Sequence, residues 1–482
     1  MNQTLGQKLF RTKTASKHQE GGLARTMGLF PLTMIGVGAT IGTGIFFTMA
    51  VAVPKAGPAV ILSFLIAALT AGLTALCYAE LSFRIPASGS SYSFAYATLG
   101  EFAAFIMAAC LLLEYGLAAS ATAIGWSDYL NKFLESAFGL QIIESLRSPM
   151  IVPDAQGHVS FVAGQFNLPP VLLVIMCCIL LIRGTKESAT TNAIMVLIKL
   201  AILLFFIAVA FTGFNAANLT PFFNAGNTHG MSGMSGVAAG AAVVFFSFIG
   251  LDTVATAGEE VKDPTRNVPK GILAALAIVT VFYLLVAVAA VGAQPAAMFK
   301  GQAAGLAVIL QNVTGAAWPA LVLSAGAVIS VFSVTLVTIY GQTRILYAIS
   351  RDGLIPKTFQ EVNPRTLAPV KNTLIVSAVV ALVSALVHSD FLWDMVSMGT
   401  LTAFMVVALA VPVLRAREGE DVTKGFRVPL GPFLIPGLSI TACLYLMSEL
   451  SLTTYKMFGV VIGLALATYF LYSVRHSKLN QA

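Results

Sequence analysis

Apolar residues along this chain fall into twelve long, nearly continuous runs, not into the one-sided stripe of a surface helix or the alternation of a half-exposed strand. The runs lie at roughly 28–53, 58–83, 100–131, 169–182, 187–213, 236–262, 269–293, 317–349, 372–388, 391–414, 429–448 and 453–473. About 20 apolar residues suffice to cross the hydrocarbon of a bilayer as a helix, so the pattern predicts an all-α polytopic membrane protein of about twelve spans. The fourth and ninth runs are short for a span.

Two runs carry a centre that helix chemistry disfavours. The first contains Gly36-Val-Gly38-Ala-Thr40-Ile41-Gly42-Thr43-Gly44, and the sixth contains Phe245-Phe246-Ser247-Phe248-Ile249-Gly250-Leu251-Asp252. Unpaired backbone groups in hydrocarbon cost several kcal/mol each, so irregular backbone persists at membrane depth only against protein, a ligand, an ion or a water-filled cavity. Taken alone, the first run reads equally as a small-residue face for close helix packing. Its partner lies five segments later, and interrupted helices in corresponding halves point to a substrate site in a transporter built from inverted repeats. The plan is then five helices plus five, followed by two. Half-helix N-termini present free N–H groups and C-termini free carbonyls, a combination suited to the carboxylate and ammonium of a zwitterion.

Composition agrees with the membrane reading: 57% of residues are hydrophobic and 10% charged, against about 25% charged in soluble domains. The first 26 residues hold Lys8, Arg11, Lys13, Lys17 and Arg25 without an apolar core, so the N-terminus is expected to stay inside. Alternating the spans places Arg84, Arg183, Lys186, Lys262, Arg266, Lys270 and the clusters Arg344 to Lys371 and Arg415 to Arg427 on the same side. Few basic residues fall outside, which satisfies the positive-inside rule. The net charge of +7 is therefore a topology signal, and no soluble basic face exists for nucleic acid. The expected division is a cytoplasmic tail at 1–26, a ten-helix core at 27–414, a cytoplasmic loop at 415–428, two further helices at 429–473 and a tail at 474–482. The polar stretch around Pro153-Asp154 to His158 is expected outside.

Cys77, Cys110, Cys177, Cys178 and Cys443 all sit in apolar runs and read as free buried thiols. A membrane enzyme would need clustered nucleophile, metal ligands or acid and base. The histidines, His18, His158, His229, His388 and His476, lie far apart in tails and loops. No catalysis and no cofactor are expected.

Charged residues within the runs carry the remaining chemistry. Lys199 is about 18 Å into the fifth run at 1.5 Å per residue, too deep for its stem to reach the surface. An ammonium in hydrocarbon costs about 2.5–3.5 kcal/mol, so this one is paired, hydrated or neutral. Two readings stand: a proton carrier, or a structural lysine paired with carbonyls of the first break, with Ser330 and Ser333 as hydroxyl neighbours. Glu114, in the third run, either faces a substrate cavity or bridges helices as a protonated acid. Asp252 reads as an N-cap for the second half of the sixth helix or as a ligand contact. Glu80 is spaced to pair with Arg84, and Glu259 and Glu260 with Lys262 and Arg266.

Several strings in order, Gly38-Ala-Thr-Ile-Gly42-Thr-Gly44-Ile-Phe46, Cys77-Tyr-Ala-Glu80-Leu, Pro86-Ala-Ser-Gly89-Ser and Glu114-Tyr-Gly116-Leu-Ala, have a familiar form. So do Phe245 to Asp252 with Glu259-Glu260-Val-Lys-Asp-Pro264, Gly341-Gln-Thr-Arg344 with Ser350 to Pro356, and Phe426-Arg-Val-Pro429. Together they resemble the amino acid-polyamine-organocation superfamily, in its cationic amino acid transporter branch. The resemblance implies the leucine-transporter-type inverted repeat and movement of L-amino acids by alternating access across the plasma (inner) membrane. By motif it implies that backbone at Ile41, Gly42, Thr43 and Gly44 holds the carboxylate and shares the ammonium with Phe246, Ser247 and Ile249. Phe246 and Phe248 become candidates for closing over the ligand. Lys199 matches the lysine that stands where sodium binds in sodium-coupled relatives, which implies a proton as coupling ion. Side-chain choice then falls to Glu114, Ser247, Phe248 and Thr338. Neutral amino acids rank first, arginine and lysine second, with exchange, a channel or a nutrient sensor as alternatives. The partners implied are an amino acid, a proton and membrane lipids.

Overall fold

The computed structural model describes residues 5–13, 27–85, 87, 89–153, 159–223, 233–300, 302, 305–418 and 426–480. His18, Pro86, Ser88, His229 and the stretches 154–158 and 419–425 lie outside the described residues. Each of the twelve apolar runs falls on helix. The first is two helices, Leu29–Thr40 and Thr43–Ala56, followed by Val60–Arg84, Glu101–Phe138, Leu168–Arg183, Thr185–Thr212, Gly233–Phe245, Pro264–Ala293, Ala317–Arg351, Val370–Leu386, Asp390–Glu418, Leu434–Ser448 and Leu452–Thr468. Among the described residues, eight helical stretches are long and apolar enough to cross a membrane, and one of them, Leu29–Arg84, contains the first two runs. The fourth, ninth and eleventh runs form shorter apolar helices.

Elements with no counterpart in the hydrophobic pattern include the helices Ser91–Thr98 and Gly305–Thr314 and an antiparallel pair, Ile151–Pro153 with Val159–Phe161. All are too short to form an apolar run. The third long helix also continues past its expected end to Phe138, where Gly139 in the left-handed conformation caps it.

Both expected breaks are present. After Thr40 the backbone turns extended at Ile41 (ψ 100°) and leaves the helical region at Gly42, then resumes helix at Thr43. In the sixth run the helix Gly233–Phe245 tightens into one turn of 3₁₀-helix at Phe246–Phe248, opens at Ile249, and resumes at Thr253–Thr256. Gly250 between them has φ 101°, and a Cβ there would lie 2.9 Å from that of Ala39. Only glycine meets both demands.

Around the breaks, Pro264–Ala293 packs along Val60–Arg84 and Leu29–Thr40, and Ala317–Arg351 packs along Glu101–Phe138. All five cysteines are buried and free. The Glu80–Arg84 pair forms at 3.4 Å, and Arg415, distant in sequence, joins it with two bonds of 2.8 and 2.6 Å to the Glu80 carboxylate.

One end of the bundle is closed by its own termini. Glu101 is fully buried and accepts from Arg11 Nε and Nη2 (3.0 and 2.8 Å), Tyr96 (2.7 Å), Tyr469 (3.2 Å) and Ser477 (2.5 Å). Beside it Asp352 accepts from Lys13 (2.5 Å) and Tyr92 (2.8 Å), and Arg11 also reaches Asn480 at 2.9 Å. Removing one partner of a buried ion pair costs about 3–5 kcal/mol, because the other charge is left behind. Arg11→Ala is therefore expected to lower the melting temperature of the detergent-purified protein, and adding Glu101→Gln should restore much of the loss. Unchanged melting in the single variant would show that the pair contributes no stability.

Candidate substrate site at the two helix breaks

The breaks touch. A Cβ on Gly44 would stand 2.6 Å from the Cα of Ser247, and the hydroxyls of Thr48 and Ser247 are 3.2 Å apart. Between the breaks and the third and eighth runs lies a cavity of about 30 Å³, lined by Gly42, Gly44, Glu114, Phe246, Ile249 and Thr338 among the expected residues. Tyr115, Thr122, Gly250, Thr253 and Val334 complete much of its wall. Ile41, Ser247 and Phe248 do not line it. The Ile41 carbonyl turns to Lys199, and Phe248 is fully buried with its ring edge-on to Tyr283 at 5.2 Å. Thr43 contributes helical backbone at the start of the second half-helix. At about 30 Å³ the cavity has room for a few waters at most, so an amino acid enters only when its walls separate.

Above the cavity a vestibule of about 1020 Å³ runs past Phe47, Asp128 and Trp393 to Lys55, His388 and Glu449. Phe246 and Gly44 border both spaces. The Phe246 ring meets Trp393 edge-on, 4.3 Å between centroids at 87°, so two aromatic side chains divide the cavity from the vestibule.

The opposite side is closed by ionic contacts. Arg344, about 9 Å past Thr338 along the same helix, donates to Glu260 at 2.8 Å, with both side chains buried and the guanidinium 4.5 Å over the Tyr340 ring. Arg351 adds two bonds to Glu259 at 2.9 and 3.2 Å. These are not the partners expected from spacing, Lys262 and Arg266. The turn Gly258–Glu260 is stitched to the start of the first helix by Met27 N–H to Glu260 O (3.0 Å) and Lys262 N–H to Met27 O (2.8 Å), and it faces Ala317–Arg351. Arg351 grips Glu259 with a two-bond fork, and Arg344 holds Glu260 through Nε alone.

Lys199 is fully buried, and its Nζ donates to Ile41 O at 2.6 Å and Gly38 O at 3.0 Å, the carbonyls freed by the first break. Neither serine expected beside it bonds it: Ser333 donates to Asn192 Oδ1 at 2.7 Å, and the Ser330 hydroxyl has no partner among the described residues. Asn192 in turn donates to Met34 O at 3.3 Å. Asp252 stands at the N-cap position but makes no cap bond. Its Oδ2 accepts from Tyr115 of the third helix at 2.6 Å. Asp252 Oδ1 and both oxygens of Glu114 have no partner among the described residues.

A small cavity between two broken helices, with an aromatic pair and a vestibule on one side and ion pairs on the other, suits a carrier, and sequence comparison agrees. Residues 27–474 match the amino acid permease family. The chain belongs to that family. It is 41% identical to the branched-chain amino acid permease BcaP of Bacillus subtilis over 98% of this chain and 99% of that one. It is 40% identical to the methylthioribose transporter of the same organism over 98% and 99%. The vacuolar cationic amino acid transporter 4 of Arabidopsis thaliana is 36% identical over 84% of this chain and 65% of its own length. These relatives are permeases and transporters, not enzymes.

In this permease the residues that sequence reading did not find reach the breaks from a distance, and they include Tyr283, Trp393, Tyr115, Asn192 and Val334. The last gives a direct test of the cavity. A Cβ on Gly42 would collide with the Val334 side chain, lying 3.0 Å from its Cβ and nearer still to Cγ2. Gly42→Ala is expected to weaken amino acid binding tenfold or more, and Val334→Ala on that background should recover part of it; equal affinity in all three proteins, read by scintillation proximity, would remove Gly42 from the site.

Proposed function

We propose that this permease is a proton-coupled symporter that imports neutral L-amino acids across the plasma membrane by alternating access. The observation that carries the reading is Lys199, whose ammonium group occupies the first break and donates to the Gly38 and Ile41 carbonyls. A fixed cation there takes the place that a mobile one would need. Among the described residues no carboxylate neutralises it. Loss of its proton removes the charge that ties the fifth run to the break and frees the half-helix Leu29–Thr40 to move. Proton occupancy and the opening of the ionic side are in this way linked.

The remaining assignments follow from that mechanism. Twelve crossings arranged five plus five plus two, with both termini cytoplasmic, put the ionic closure inside and the vestibule outside. Residues 27–414 form the transport core and 429–473 the added pair of helices. Backbone at Ile41 to Gly44 takes the carboxylate; carbonyls near Phe246, Ser247 and Ile249 take the ammonium; Phe246 closes the pocket; Thr338 and Glu114 face the side chain. Phe248 supports the break from behind.

Neutral substrates rank first because an unpaired guanidinium buried in this site costs several kcal/mol. The unpartnered carboxylate of Glu114 in the cavity wall favours a second reading, a carrier of arginine or lysine. Overall likeness does not choose, since relatives at 41% and 40% identity carry names with different substrates.

In proteoliposomes, uptake of labelled leucine or alanine is expected under an inward proton gradient and not under a sodium gradient alone. Lys199→Met, which keeps bulk and deletes the titratable nitrogen, should abolish accumulation against a gradient. Concentrative uptake by that variant, or uptake driven by sodium with proton and electrical gradients collapsed, would overturn the coupling. In competition, leucine, valine or serine should displace labelled alanine at lower concentration than arginine, lysine or methylthioribose. If arginine competes best, the second reading holds, and Glu114→Gln should weaken arginine selectively.

A further inference from the structure

Asn192 precedes Lys199 on the helix Thr185–Thr212 by just under two turns, so the two side chains share one face about 10 Å apart. We propose that Asn192 is a positioning residue for coupling: an uncharged tie that seats the half-helix Leu29–Thr40 against the fifth and eighth runs, beside the charged tie of Lys199. The proposal rests on the proton-coupled reading and adds to it a residue that does not titrate.

The Asn192 side chain is buried and joins three helices. Its Oδ1 accepts from Ser333 of Ala317–Arg351 at 2.7 Å, and its Nδ2 donates to Met34 O of the half-helix at 3.3 Å. A Cβ on Gly38 would lie 2.9 Å from both amide atoms and 3.0 Å from Cγ2 of Val196, one turn further on, so the half-helix rests on this face with no side chain between them. Gly38 O is also one of the two carbonyls that Lys199 holds. One helix face thus grips one half-helix at two heights, at Met34 and at Gly38 to Ile41.

The two ties are chemically unlike. Met34 lies inside the half-helix, where its carbonyl has a helical partner, and a carbonyl oxygen can accept a second bond. The amide can therefore let go without orphaning that carbonyl. The bonds from Lys199 meet carbonyls at the break itself and depend on a proton. A neutral hydrogen bond is about half as strong as a charge-assisted one, so Asn192 alone does not hold the half-helix once Lys199 is neutral. Together the two keep it seated until the proton leaves. Without the amide, the half-helix swings out more often while Lys199 is still protonated, and substrate crosses without its proton being released.

Asn192→Leu keeps the size and branching of the amide and removes both bonds, and Ser333 can then turn to a carbonyl of its own helix. In proteoliposomes under a fixed inward proton gradient, the accumulation ratio of labelled leucine, and of labelled arginine in parallel, is expected to fall about fivefold, the population shift that loss of a net hydrogen bond brings. Counterflow, which needs the half-helix to move but needs no proton gradient, should persist. A lower melting temperature with an unchanged accumulation ratio would overturn the proposal, because a merely structural asparagine gives that result, and so would loss of accumulation and counterflow together. Lys199→Met serves as the reference. If it concentrates substrate like wild type, the coupling reading fails; if it does not and Asn192→Leu does, only the role of Asn192 fails. Should Asn192→Leu not reach the membrane, Ser333→Ala, which removes one of the two bonds and leaves the amide in place, should lower the accumulation ratio with counterflow retained, and an unchanged ratio there overturns the proposal.

Discussion

A carbonyl that loses its helical partner inside a bilayer has no water to turn to, and the architecture around both breaks follows from that constraint. The acceptors released by the first break are met from two unbroken helices: Lys199 reaches Gly38 and Ile41, and Tyr283 reaches Thr40. Asn192 adds a bond to Met34 lower down. The second break borrows the same phenol at Ser247. Because the donors come from flanking helices, the space between the breaks is left for a ligand. Glycines at 44 and 250 then allow the two irregular backbones to lie against each other.

The two closures differ in kind, and their magnitudes differ with it. An edge-on aromatic pair such as Phe246 and Trp393 is worth about 0.5–1.5 kcal/mol beyond the area it buries. Separating a buried pair such as Arg344 and Glu260 costs several kcal/mol unless each charge finds a new partner or water. The aromatic pair is therefore the weaker of the two closures, with a wide vestibule beyond it and paired charges on the other side.

Much of the fold was legible because its signals are local. Continuous apolar runs gave helices, and glycine clusters gave the first break. The depth of Lys199 gave a buried cation needing partners, and the carbonyls of the break were among the partners considered. What failed were pairings chosen among several candidates across the bundle. Asp252 has the sequence position of a cap but is taken by Tyr115, from a helix more than a hundred residues earlier. Glu259 and Glu260 have basic neighbours in sequence but are paired by arginines of the eighth run. Phe246 and Phe248 are two residues apart and indistinguishable by type, yet the 3₁₀ turn sends one to the cavity and the other to Tyr283. A short turn changes direction per residue too sharply for helical spacing to forecast.

The clasp of Arg11 and Lys13 on Glu101 and Asp352 has a consequence for how the protein is made. Ser477 and Asn480, which share that cluster, follow the last long helix, so they leave the ribosome only after every span has been synthesised. Until then Glu101 lacks part of its shell, and the N-terminal segment has an incomplete seat. Docking of Arg11 is thus a late event in biogenesis. A chain truncated before its final helix would lack the Tyr469 and Ser477 donors to Glu101 and leave that buried carboxylate and its basic partner short of their shell.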